Sequence, residues 1–315
     1  MNFKPDKNYE ILWKLRLISD GTPEGDQAAE STRNLMKKME QRVECDNVKI
    51  SDINIYSETN LYNIPLRIYR PDICDNNSPV LIDIHGGGFV VGTLDKDDNR
   101  CIRYAQEVPC VVIQIGYRLA TEVSFPSQIE DCYYALCWIY DHAEELQIDK
   151  TRIALHGSSA GGNLCAGLSL YTRDKKGPKI CFEILNYPCL SFGDPSPSKM
   201  LMFDSAPITN GADADAIMEL YLGGYDGSFP SYYAVPMNAP TLRGMPPTAI
   251  IACEYCPLRD DGIEFANRLM ANGIPTELYL LPRVPHAFDL IDAPRTKWII
   301  EGICMSLRRE FCLDF

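Results

Sequence analysis

The residues that could do chemistry lie in three short stretches of this 315-residue chain. Gly157-Ser158-Ser159-Ala160-Gly161 spells G-x-S-x-G. Only Ser159 has glycine at both −2 and +2, so Ser159 is the candidate nucleophile and Ser158 its neighbour. Apolar, β-prone residues from Ile153 to His156 precede the motif, and small residues from Asn163 onward follow it. Strand, sharp turn and helix make the context in which such a serine is exposed on a strained turn. Glycines two residues away avoid a collision with that turn. The helix then directs free N–H groups and its positive dipole end at the place where an oxyanion would form. The chemistry such a set could do is attack on a carbonyl carbon.

A serine hydroxyl is a weak nucleophile unless a base takes its proton. The chain has four histidines. His142 sits on a helical stretch with acidic neighbours, and His156 lies inside the strand before the turn. His85 opens His85-Gly86-Gly87-Gly88. Only His286 follows Ser159, on a loop after a late strand, and it is the candidate base. The H-G-G-G loop directly follows the apolar run Pro79–Ile84, and its glycines let backbone N–H groups approach a ligand. G-x-S-x-G alone arises by chance in about one chain in ten. Both motifs together, in this order and each after a strand, are far more specific.

These residues need a scaffold. Period-two patterns at Val48–Ile55 and Ile64–Ile68 predict strands. Continuous apolar runs at Pro79–Ile84, Cys110–Tyr117, Lys179–Asn186 and Thr248–Cys253 predict strands buried on both faces. Thr276–Leu281 predicts another. Helices are expected at Gln128–Glu145, Gly262–Asn272 and Ala293–Phe311. The alternation implies an α/β protein with a mostly parallel sheet, helices on both faces, and its site at the carboxyl ends of the strands. Residues 1–45 read as a helical segment, with periodicity at Glu10–Ile18 and Glu30–Val43. Residues 191–230 lose the strand-helix rhythm and read as an insertion with one helix near Ala212–Leu222. The core is expected over 46–315.

Composition narrows the function. A formal charge of −13 argues against nucleic acid or an anionic membrane as partner. No run approaches a membrane span and no secretory signal is visible. Thirteen cysteines, an odd and scattered number, suggest reduced thiols in a cytoplasmic protein. Cys253 and Cys256 form a C-x-x-C, but no second pair completes a zinc site.

The chain resembles the hormone-sensitive-lipase-like branch of the α/β-hydrolase family of carboxylesterases. His85–Phe89 and Gly157–Asn163 carry the resemblance, with Tyr117-Arg118-Leu119, Phe125-Pro126, Asp131, Glu254-Tyr255 and Pro257–Asp260. The resemblance implies an α/β-hydrolase fold, Ser159 as nucleophile and His286 as base. It implies an oxyanion hole from the N–H groups of Gly87, Gly88 and Ala160. It also implies a helical cap built from residues 1–45 and 191–230, and a small-molecule ester substrate, with a short acyl chain. No cofactor or metal is implied, and many members self-associate as homodimers.

One position departs from the pattern. The family writes E-Y-D-P-L-R-D with the first aspartate as triad acid; here Cys256 stands in that place. Three readings follow. Glu254, two residues earlier on the same side of the strand, or Asp260 could reach His286 instead. Cys256 could act as a thiolate if its surroundings lower its pKa. Or the triad is degraded and the chain is a slow enzyme or a non-catalytic small-molecule binder.

Overall fold

Val80 to Ile84 is apolar except at Asp83, and all seven residues of its strand are buried, as expected for a strand covered on both faces. The computed structural model describes residues 4–16, 45–59, 61–193, 195–224 and 228–313, with isolated positions 23, 27, 30–32 and 34. The strands are β1 Val48–Ser57, β2 Tyr62–Pro71, β3 Ser78–Ile84, β4 Val111–Ile115, β5 Ile148–Ser158, β6 Phe182–Asn186, β7 Thr248–Tyr255 and β8 Thr276–Pro285. They form one sheet in the order β1-β2-β4-β3-β5-β6-β7-β8. β1 and β2 pair antiparallel, as do β2 and β4; the remaining pairs are parallel. β4 and β6 are wholly buried, whereas β1 carries exposed positions along its length.

The helices are α1 Asp98–Glu107, α2 Ser127–Asp141, α3 Ala160–Lys175, α4 Pro197–Leu201, α5 Gly211–Tyr221, α6 Arg259–Ala271 and α7 Pro294–Glu310. α3 is buried along nearly its whole length, and its Ala, Gly and Ser residues let it sit close on the sheet. The sequence patterns find α2, α3, α5, α6 and α7 to within a few residues. They miss α1 and the short α4. β8 runs four residues further than Leu281 because Tyr255 of β7 pairs with Pro285.

The 191–230 segment carries α4 and α5. The start of α5 is fixed by a capping box in which the Asn210 side chain accepts from the Asp213 N–H and the Asp213 carboxylate accepts from the Asn210 N–H. Near the N-terminus, Lys7–Lys14 forms a 3-10 helix whose Tyr9 and Leu12 are buried. Its cap residue Asp6 donates its N–H to the Arg283 carbonyl at 3.1 Å, beside the end of β8. Arg16 bridges to Ile208, and the Ile208 N–H donates to the Leu15 carbonyl, so the N-terminal segment touches the 191–230 segment. The helix expected over Glu30–Val43 lies almost entirely outside the described residues. All thirteen cysteines are unpaired, including Cys253 and Cys256. Among the described residues no helix is long and apolar enough to cross a membrane, and no His/Cys/Asp/Glu cluster could hold a metal ion.

Candidate active site

The motif at the end of β5 takes the strained turn that its glycines anticipate. Ser159 has φ +56° and ψ −116°, a conformation that non-glycine residues rarely adopt. A Cβ on Gly157 would lie 2.2 Å from the Gly161 carbonyl oxygen, and one on Gly161 would lie 2.0 Å from the Ile84 carbonyl oxygen. Both obstacles are backbone, so neither can move cheaply. The turn therefore holds Ser159 at the start of α3 with its side chain at the carboxyl end of the sheet.

The neighbouring loop is placed by register. Ile84 of β3 pairs with Gly157 of β5, so His85–Gly88 emerges beside the serine turn. Gly87 and Gly88 have φ +123° and +61°. A Cβ on Gly87 would meet the Val91 carbonyl oxygen at 2.0 Å, so this bend requires glycine. Ala160 is the first residue of α3, and its N–H has no partner within the helix. His85 itself is buried and stacked on Tyr117, with ring centroids 4.3 Å apart. It supports the loop.

His286, the candidate base, arrives from the β7–β8 end of the sheet. Tyr255 at the end of β7 pairs with Pro285 at the end of β8, so Cys256 and His286 leave the sheet side by side. His286 Nε2 lies 3.0 Å from Ser159 Oγ. Its Nδ1 lies 3.1 Å from Cys256 Sγ. The ring packs edge-on against Tyr187, centroids 4.6 Å apart. Burial, with a smaller push from the Lys96 ammonium, lowers the imidazole to about 3. His286 is thus neutral near pH 7, as a proton acceptor must be, but its charged form is poorly supported.

Cys256 is fully buried, and burial pushes its thiol well above the ordinary range. That direction disfavours a thiolate at this position. Glu254 is disfavoured too: its Oε2 accepts the Arg283 backbone N–H at 2.6 Å. Asp260 pairs with Arg259 and accepts the Ser198 N–H at 2.7 Å, tying α6 to the 191–230 segment. Neither carboxylate hydrogen-bonds His286. The expectation that Glu254 shares a face with Cys256 breaks because β7 ends at Tyr255, so the strand's alternation does not reach Cys256.

The cleft over Ser159 opens to solvent, and its free space, mouth included, is about 460 Å³. Gly86, Gly87, Gly88, Ile208 and His286 line one part of it; Lys96, Asp97, Arg100, Tyr187 and Asp289 line another. The second group is a charged wall that sequence patterns did not single out. Arg100 lies 3.2 Å from Asp83, 3.0 Å from Asp97 and 3.5 Å from Asp289. His156 is buried as expected but not merely packed, since its Nδ1 lies 2.6 Å from Asp83. Burial alone would raise the Asp83 carboxyl, but Arg100 and His156 hold it below the usual carboxylate range. A lone aspartate inside the apolar run of β3 was the available signal. Asp289 also accepts from Asn186 Nδ2 at 3.2 Å and from the Tyr187 hydroxyl, so the residue that packs on His286 is itself anchored.

A sequence profile described as the alpha/beta hydrolase fold matches residues 81–290, the span that holds the serine turn, the glycine loop and the histidine. The chain belongs to the α/β-hydrolase family. Among relatives of this hydrolase, esterase LipI of Mycobacterium tuberculosis is 37% identical over 227 residues, covering 71% of each chain. Carboxylesterase NlhH of Mycobacterium tuberculosis is 38% identical over 232 residues, covering 72% of each. The solved structure of a bacterial heroin esterase superposes with a TM-score of 0.86 at 34% identity, covering 91% of this chain and 92% of that one. The hydrolase therefore carries its family's H-G-G-G and G-x-S-x-G motifs on the expected sheet positions, with cysteine where the family resemblance implies an acid.

Proposed function

We propose that this chain hydrolyses carboxylic esters with short acyl groups through an acyl-enzyme on Ser159. The observation that carries the proposal is the 3.0 Å contact between Ser159 Oγ and a neutral, buried His286 Nε2. His286 takes the hydroxyl proton as Ser159 attacks the ester carbonyl. The oxyanion forms against the N–H groups of Gly87, Gly88 and Ala160. The imidazolium then protonates the leaving alcohol. Water, deprotonated by the same nitrogen, releases the acid. Cys256 accepts the Nδ1–H and so fixes the tautomer, but a neutral sulfur gives the imidazolium no charge partner. The small cleft supports a short acyl chain. The relatives named esterase and carboxylesterase support the reaction class over a non-catalytic binder. Residues 1–45 and 191–230 serve in this reading as the cap; the contact of Leu15 and Arg16 with Ile208, which lines the cleft, supports that role.

An active-site organophosphate is expected to label Ser159 stoichiometrically, read by intact-mass and peptide mass spectrometry. Ser159→Ala is expected to remove labelling and turnover of p-nitrophenyl acetate together. Turnover that survives in Ser159→Ala refutes the serine mechanism.

A further inference from the structure

The charged wall beside Ser159 has two sides. Lys96, Asp97, Arg100, Asp289 and Leu290 line the cleft, and the same five residues line an outer pocket whose free space, open mouth included, is about 1010 Å³. Every charged group of the wall but one has an ion-pair partner, with three carboxylates sharing one guanidinium. Arg100 faces Asp83, Asp97 and Asp289. In the outer pocket Arg103 pairs with Glu107 at 2.6 Å and Asp292 with Lys297 at 3.1 Å. Lys96, half-buried, has no carboxylate within ion-pair reach among the described residues. An ammonium left in that position offers three donors and a full charge to whatever enters.

We infer that the cleft selects esters that carry a second, ionised carboxylate, bound by Lys96 with the outer pocket giving the substituent room. The inference rests on the reading of Ser159 and His286 given above. A monoanion fits better than a phosphate dianion, because the free cation is a single ammonium in a chain of net charge −13. The arrangement also bears on catalysis. Lys96 acts on His286 against the imidazolium, and Cys256 supplies no negative charge to oppose it. A substrate carboxylate paired with Lys96 cancels that field as the imidazolium forms. The anionic substrate thus restores part of what the missing triad acid would provide. The advantage therefore appears in kcat and not in KM alone.

The test compares ethyl hydrogen succinate, glutarate and adipate with the matching ethyl ester carboxamides, which keep shape and remove charge. Ethanol release is followed for the unmodified chain, Lys96→Gln and Lys96→Arg. At one chain length or more, the acid is expected to exceed its amide in kcat/KM by about 10-fold, with kcat contributing. The ratio is expected to fall to near one in Lys96→Gln and to persist in Lys96→Arg. Equal turnover of acid and amide at all three lengths overturns the inference, as does a preference that survives Lys96→Gln. Ser159→Ala separates the two levels. If it is silent while the preference is absent, only this inference fails; if it still cleaves these esters, the serine mechanism itself has failed.

Discussion

Replacing Cys256 by aspartate puts a carboxylate where the sulfur now lies 3.1 Å from His286 Nδ1. The site can hold that charge. The Leu258 backbone N–H already hydrogen-bonds the sulfur, and Arg259 acts favourably on a negative charge there, while Asp261 opposes it. Two unit charges ~4 Å apart in an effective dielectric of ~20 attract by about 4 kcal/mol. Felt by the imidazolium in the transition state, that is roughly 10³ in rate. Loss of the aspartate in other triad enzymes costs a similar ~10⁴. Cys256→Asp is therefore expected to raise kcat on p-nitrophenyl acetate by 10² to 10⁴, on the order set by these terms.

The assay is initial rates normalised to organophosphate-titrated sites, with Ser159→Ala as blank. Cys256→Asn is the control, since it keeps an acceptor without charge and is expected to gain little. The acid limb of the pH profile is a second readout. His286 now titrates at about 3, so the unmodified chain keeps its base deprotonated well below the usual histidine range. The new carboxylate moves that limb upward. A gain under about 10-fold, an equal gain from asparagine, or an unmoved acid limb would refute the account of Cys256 as a site without the acid's charge.

Three further perturbations test the scaffold. Gly161→Ala drives a methyl to 2.0 Å from the Ile84 carbonyl oxygen, so it is expected to cost about 3 kcal/mol or more and to abolish turnover, read by thermal melts and rates. Arg100→Met leaves Asp83, Asp97 and Asp289 without their shared cation and is expected to destabilise by about 3–5 kcal/mol in urea titrations. Glu183 is fully buried, accepts from Ser169 and Thr248, and burial raises its carboxyl to about 7. Its folded form holds the proton that its unfolded form releases, so stability is retained at low pH and lost as pH rises from the ordinary glutamate range through about 7. Glu183→Gln is expected to stabilise by up to about 3 kcal/mol near pH 8 and by little near pH 5, with equal effects at both pH values counting against a buried titrating carboxyl.

What the sequence reveals here depends on how local the cause is. The serine turn is legible because its motif is contained in five residues, although only Gly157 answers to the turn's own backbone and Gly161 answers to that of the adjoining β3. The buried strands are legible because unbroken apolar runs have few other places to go. The charged wall is illegible for the opposite reason. Asp83 is the penultimate residue of β3, Arg100 lies on α1 and Asp289 follows β8, so nothing joins them before the sheet assembles. The acid position shows the limit most sharply. A period of two puts Glu254 on the same face as Cys256, and on that ground it could have served His286. β7 ends at Tyr255, so the period does not extend to Cys256, and the Glu254 carboxylate turns to the Arg283 N–H. Arg283 has φ +63°, so the bend that presents this N–H belongs to β8 and is absent from any pattern in β7. Which group faces His286 is decided by the fit between two strand ends. That fit places a neutral sulfur beside the imidazole and keeps each nearby carboxylate occupied elsewhere, so the missing charge must come from a substitution at position 256 or from the substrate.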